Sequence, residues 1–91
     1  MEKIQLIEPI KLGGRDYIEL EVRRPKVKDQ LAAESVTGTD AKKEIWMFAS
    51  LCGVSEEVIG ELDLADYQQL QKAYQGFLTS APKSAEGQFS A

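Results

Sequence analysis

Residue types that do chemistry are sparse in this 91-residue chain. Histidine is absent, which removes imidazole acid–base catalysis, Ser-His-Asp and Cys-His nucleophile systems, and His-ligated metals. Asp63 and Asp66 look like a carboxylate pair. Both fall in the first turn of an expected helix, where capping and dipole complementation account for them. Glu56, Glu57 and Glu61 could attract a cation, but they lack the alternating ligand spacing of a calcium loop and read as a solvated face. Gly13-Gly14 lacks the Lys-Ser/Thr and helix start of a phosphate-binding loop, so it reads as a hairpin turn. Cys52, the single cysteine, sits on an apolar stripe with no basic neighbour in sequence, as a packing thiol does. Alone it makes neither an intrachain disulfide nor a Cys-rich zinc site. No catalytic constellation emerges, so an enzyme is disfavoured and neither metal nor cofactor is expected.

Binding residues are better represented. Arg23-Arg24-Pro25-Lys26-Val27-Lys28 places four positive charges in six residues. Such a cluster is either a solvated strand–helix junction or a docking patch for an acidic partner helix. Trp46 lies about 120° from the centre of the Ile45/Phe48/Cys52 stripe on a helical wheel, with Met47 further round. Tryptophan is enriched in interface hot spots and methionine suits adaptable surfaces. Trp46 packed under the hairpin is the competing reading. Arg23, Arg24, Lys26, Trp46, Met47 and Leu51 are therefore the candidate partner-binding residues.

Ala49, Gly53 and Ile59 have the spacing of a helix-turn-helix. Its second helix would be Ser55 to Leu62, with three glutamates and no lysine or arginine. That face repels phosphates, whereas DNA affinity comes from counterion release by basic groups. Residues 1–52 hold nine acids and nine bases, and residues 53–91 six acids and two bases, so the corner lies in the acidic half. A tight structural corner without nucleic acid is the preferred reading. A small helix-turn-helix-like DNA-binding regulator remains the alternative function, beside another adaptor protein.

The elements that must position these residues follow from periodicity. Ninety-one residues allow one domain. The net charge of −4 weighs against a dedicated nucleic-acid binder. No apolar run is long enough to span a membrane, and Met1 to Gln5 does not resemble a secretory signal, so a cytoplasmic protein is expected. A core of this size supplies only about 3–5 kcal/mol net, so partner binding could contribute to stability.

A β-hairpin is expected over residues 4–22, turning at Gly13-Gly14. A two-residue turn sets Ile10 opposite Tyr17. A three-residue loop, Gly13 to Arg15, sets 10 opposite 18 and 6 opposite 22. The longer loop is favoured because it gathers Ile4, Leu6, Ile10, Ile18, Leu20 and Val22 on one face. Pro9 suggests an edge or a bulge. Helices follow over about 26–35, 40–52, 55–62 and 63–78. The first carries Val27, Leu31 and Ala32 as its apolar side. The second carries Ala41, Ile45, Phe48, Ala49 and Cys52, with Gly53 as its C-cap. The fourth carries Leu64, Tyr67, Leu70, Tyr74, Phe77 and Leu78. Residues 80–91 have the composition of a flexible tail. The class is α+β, with a single domain over 1–79.

The run Glu8-Pro9-Ile10-x-x-Gly13-Gly14, then Ile18-Glu19-Leu20-x-Val22-Arg23-Arg24-Pro25-Lys26, followed by Asp29 and Ala32-Ala33, resembles the tail assembly chaperones of Mu-like and related contractile-tailed phages, the E/41/14 family. Leu51-Cys52-Gly53-Val54-Ser55 and Leu62-Asp63-Leu64-Ala65-Asp66-Tyr67-x-x-Leu70 are similar to that family's second half. The similarity covers roughly residues 4–79. The resemblance implies a non-enzymatic protein of the bacterial host cytoplasm that is not in the mature virion. It implies binding to the tape measure protein, keeping it soluble while tail tube protein polymerises around it. It also implies that a longer frameshifted product could extend from the segment Ser80 to Ala91. The apolar surplus allows a homo-oligomer, either a dimer or a ring.

Overall fold

The computed structural model describes residues 1–79; the expected tail, 80–91, lies outside them. The chain folds as an antiparallel hairpin, β1 (Glu2–Leu12) and β2 (Arg15–Val22), followed by four helices: α1 (Val27–Glu34), α2 (Asp40–Cys52), α3 (Glu56–Gly60) and α4 (Leu64–Thr79). This is the α+β class read from the sequence.

The turn takes only two residues. Gly13 and Gly14 have φ of 60° and 78°, a left-handed pair that L side chains resist. Leu12 pairs with Arg15, Lys11 with Asp16 and Ile10 with Tyr17. The three-residue loop expected from the apolar pattern is therefore replaced. Pairing then shifts: the next partners are Gln5 with Glu19, then Ile4 with Leu20. Leu6, Ile7, Glu8 and Pro9 thus stand against Ile18 alone. The three extra residues on β1 are an odd number, so they change which residues share a face. Ile4, Leu6, Ile10, Leu20 and Val22 are buried as expected, but Ile18 is 60% exposed. Pro9 falls inside this bulge, where its missing N–H breaks no ladder bond.

The bulge is fastened by Asp66 on α4. Its carboxylate accepts the N–H groups of Ile7 at 2.8 Å and Glu8 at 3.0 Å. Gln69 donates to the same carboxylate and to the Gln5 carbonyl. Dipole complementation was the expected role of Asp66. Its larger role is to satisfy backbone donors that the bulge strips of strand partners. Asp63 does cap α4, accepting from the Ala65 N–H at 3.0 Å.

α2 is the central helix. Its buried residues are Met47, Phe48, Ala49 and Leu51, with Ile45 and Cys52 partly covered. At 100° per residue this is an arc of about 200°, wider than the stripe read from the sequence. The extra width arises because the hairpin, α1, α3 and the tyrosines of α4 all lie against it. Phe48 meets Tyr67 and Tyr74 edge-on, with ring centroids 5.5 and 5.7 Å apart. Thr39 caps the start of α2, and Gly53 ends it at φ 67° in the left-handed region. Ser55 then caps α3. Val58 and Ile59 of α3 and Leu70 of α4 complete the core.

α1 departs most from expectation. Val27 is 78% and Leu31 64% exposed, while Asp29 is 4% exposed and Ala33 packs on the core. Asp29 lies about 200° and Ala33 about 240° from Val27 on the wheel, so the helix faces away from its apolar reading. The cause is Asp29, which is held inward by Arg23.

Candidate partner-binding groove

The basic cluster is mostly engaged within the fold. The Arg23 guanidinium donates two hydrogen bonds to Asp29, each 2.8 Å, in a fork-to-fork pair. Asp29 also accepts the Lys26 N–H at 2.7 Å, which closes the first turn of α1. The Arg23 N–H donates to the Leu51 carbonyl at 3.1 Å, tying the end of β2 to the end of α2. The Arg23 hydrogen bonds outweigh burial and hold the Asp29 carboxyl down at about 2. A charge-assisted clamp of this kind fixes α1 with Asp29 inward, so Val27 and Leu31 turn outward. Arg24 lies over the Phe77 ring, 5.2 Å from its centroid, and donates to the Phe77 carbonyl at 3.1 Å. That bond serves a carbonyl in the last turn of α4, where helical acceptors lack partners. Lys26 and Lys28 keep exposed side chains.

Between α1 and α4, over α2, runs a groove made of two adjoining hollows of about 350 and 180 Å³. Both hollows share Gln30, Met47, Tyr74 and Leu78. Met47 and Tyr74 form the apolar floor. Val27 and Pro25 extend it at one end, and Phe48 and Ala33 at the other. Lys26 and Lys43 stand at its rim with Glu34 and Glu44. Glu44 already accepts from Tyr67 Oη and from Gln71 Nε2. Burial first, and then that carboxylate, push the Tyr67 hydroxyl up, so it stays a donor. The groove is bordered by exposed Val27 and Leu78, the latter 58% exposed, with Leu31 one turn along α1.

The six residues singled out from the sequence do not form one patch. Met47 and Lys26 share the groove, with Met47 in its floor at 6% exposure. Arg24 sits beside the groove's end, on Phe77. Arg23 is held by Asp29. Leu51 is buried in the core at 2% exposure, because the wide buried arc of α2 includes it. Trp46 is half-buried on the other side of α2, in a separate hollow with Ala49, Ser50, Val54, Ser55 and Glu56. Exposed apolar side chains lie instead at Val27, Leu31 and Leu78 around the groove, and at Ile7, Ile18 and Leu64 elsewhere; all of these but Ile7 the sequence placed on inward stripes. One signal could have found the α1 pair: Asp29 lies six residues after Arg23, within reach of an ion pair across the Pro25 junction.

The remaining candidates for chemistry read as structural. Burial pushes the Cys52 thiol up to about 11, so it is a poor nucleophile. Glu56, Glu57 and Glu61 are exposed around α3, an acidic surface at the corner. Among the described residues no group of three or more acidic, Cys or His side chains could hold a metal ion, and no helix is long and apolar enough to cross a membrane.

Comparison with known families gives a match over residues 3–79 to the phage tail assembly chaperone proteins, E, or 41 or 14. The chain belongs to that family. The match spans the hairpin and all four helices, including the groove and the Arg23–Asp29 clamp. No curated protein and no solved structure matches. As a tail assembly chaperone the protein acts on phage tail proteins during assembly in the host cell, and membership points to a non-enzymatic role.

Proposed function

We propose that this tail assembly chaperone binds the tape measure protein and keeps it soluble while the tail tube protein polymerises around it. The proposed contact is the groove between α1 and α4. One observation carries this reading: the Arg23–Asp29 clamp turns Val27 and Leu31 out to solvent beside an apolar groove. Apolar side chains exposed side by side along a groove mark an interaction site. A helical segment with an apolar stripe is the natural occupant. It would lay its side chains over Met47 and Tyr74, flanked by Lys26 and Lys43. The exposed glutamates of α3 disfavour the DNA-binding alternative, since they offer phosphates only repulsion.

The test is co-expression with the tape measure protein encoded in the same phage, followed by affinity capture of this chain. Capture, with the tape measure protein soluble only in the chaperone's presence, is the expected result. Val27→Glu with Leu78→Glu should retain the native circular dichroism spectrum and lose capture. A tape measure protein equally soluble alone would remove the proposal. Undiminished capture by the folded double variant would move the contact off the groove.

A further inference from the structure

The hairpin has two outer backbone edges, and only one is covered. On β1, Asp66 accepts from Ile7 and Glu8, and Gln69 donates to the Gln5 carbonyl. On β2, among the described residues, no hydrogen bond from outside the hairpin reaches the backbone of residues 15–22; the first is at Arg23. Open edges are ordinarily blunted by charged side chains, lysine above all, by proline or by a bulge; β2 carries Arg15, Asp16, Glu19 and Glu21, charges of both signs that oppose a foreign strand but can pair in one register. β2 reads Arg15-Asp16-Tyr17-Ile18-Glu19-Leu20-Glu21-Val22, with neither lysine nor proline, and the bulge is on the other strand.

We propose that β2 pairs antiparallel with β2 of a second copy of this chain, making a four-stranded sheet with Ile18 on the two-fold axis. The register follows from the side chains. With Ile18 opposite the partner's Ile18, Arg15 falls opposite the partner's Glu21, and Tyr17 opposite the partner's Glu19. By symmetry each of these pairs occurs twice. The exposed Ile18 gains an apolar neighbour, and the strand ends gain opposite-charge pairs. Arg15 lies 5.6 Å from the Tyr17 ring centroid, which holds its guanidinium along the strand. Sliding the copies one step the other way sets Glu19 opposite itself. Two steps set Glu19 opposite the partner's Glu21. Both juxtapose like charges. Sliding toward the turn puts Ile18 opposite the partner's Asp16 and forfeits the apolar pair. This interface is independent of what the groove binds.

Sedimentation of the full chain from micromolar to millimolar concentration tests it. A reversible dimer is expected. Glu21→Arg sets two arginines opposite each other twice and should raise the dimer dissociation constant by about tenfold. Adding Arg15→Glu to that variant recreates the pairs with reversed sign and should restore dimerisation. Ile18→Lys should give a monomer that melts, in the dilute range where wild type is also monomeric, at the wild-type temperature, because Ile18 is already exposed in the single chain. A chain monomeric throughout overturns the proposal. A dimer indifferent to Glu21→Arg, or one that the second substitution fails to rescue, also overturns it.

Discussion

Two buried carboxylates organise the molecule. Asp29 and Asp66 are the buried charged residues among those described, and both are fully used as acceptors. Removing Asp66 as Asp66→Ala strands the N–H groups of Ile7 and Glu8, so a loss of about 1–3 kcal/mol is expected in urea unfolding. The two residues also set the acid limb of stability. The Arg23 hydrogen bonds hold Asp29 at about 2 when folded. Burial pushes Asp66 up, but the bonds from Ile7, Glu8 and Gln69 prevail and leave it lowered. A carboxylate depressed by folding contributes fully above its unfolded value of about 3.9, and that contribution fades as pH falls through the folded value. Stability should therefore fall as pH drops from about 4 towards 2. Asp29→Asn and Asp66→Asn should each start less stable at neutral pH and show a flatter acid limb. Cys52 gives a third prediction: a thiol raised to about 11 by burial should react slowly with a disulfide reagent in native buffer and rapidly in denaturant.

The elements show where local pattern decides and where it does not. The Gly53 and Asp63 helix ends were legible because capping is local: each acts within a few residues of itself. The Gly13-Gly14 turn was legible as a turn for the same reason. Gly14→Ala should cost about 1–2 kcal/mol, read from the urea midpoint, because alanine resists the observed φ of 78°. The hairpin register was not legible. The apolar alternation of β1 and β2 favours a single register, whereas the structure uses two, joined by a bulge whose donors are met by a residue some sixty positions away. α1 inverts its apolar face for a similar reason, since its orientation is set by Arg23, outside the helix in the β2–α1 connection. This has a measurable consequence. A core-facing reading of α1 makes Val27→Ser with Leu31→Ser strongly destabilising. With both side chains exposed, the double variant should stay within about 1 kcal/mol of wild type in urea unfolding.

At the scale of the whole molecule, a small domain has built its core around α2 and left apolar surface at the α1–α4 groove. If a tape measure helix fills that groove, partner binding should raise the melting temperature in proportion to the logarithm of free partner concentration. A synthetic peptide bearing the partner's apolar helical stripe should produce this shift in wild type. It should not in the folded Val27→Glu, Leu78→Glu variant. The groove draws on Pro25, Lys26 and Val27 from one segment, Lys43 and Met47 from another, and Tyr74 and Leu78 from a third. No sequence window contains it.

By itself the sequence determined the element order, the α+β class, the Gly53 and Asp63 caps, the lack of a histidine-based site, and the resemblance to tail assembly chaperones. These are set by interactions within a few residues or by motifs read in order along the chain. Only the tertiary structure decided which side of α1 faces out, that Met47 and Leu51 are covered while Ile18 is not, and where β1 bulges. Each of those outcomes depends on a partner outside the element concerned: Arg23 in the β2–α1 connection for Asp29, the α4 tyrosines for Phe48, Asp66 for Ile7 and Glu8. A buried carboxylate must find its donors before an exposed valine finds a neighbour, because an unmet charge costs several kcal/mol and an exposed Val about 1.5. That ordering turned α1 over and left its apolar face exposed.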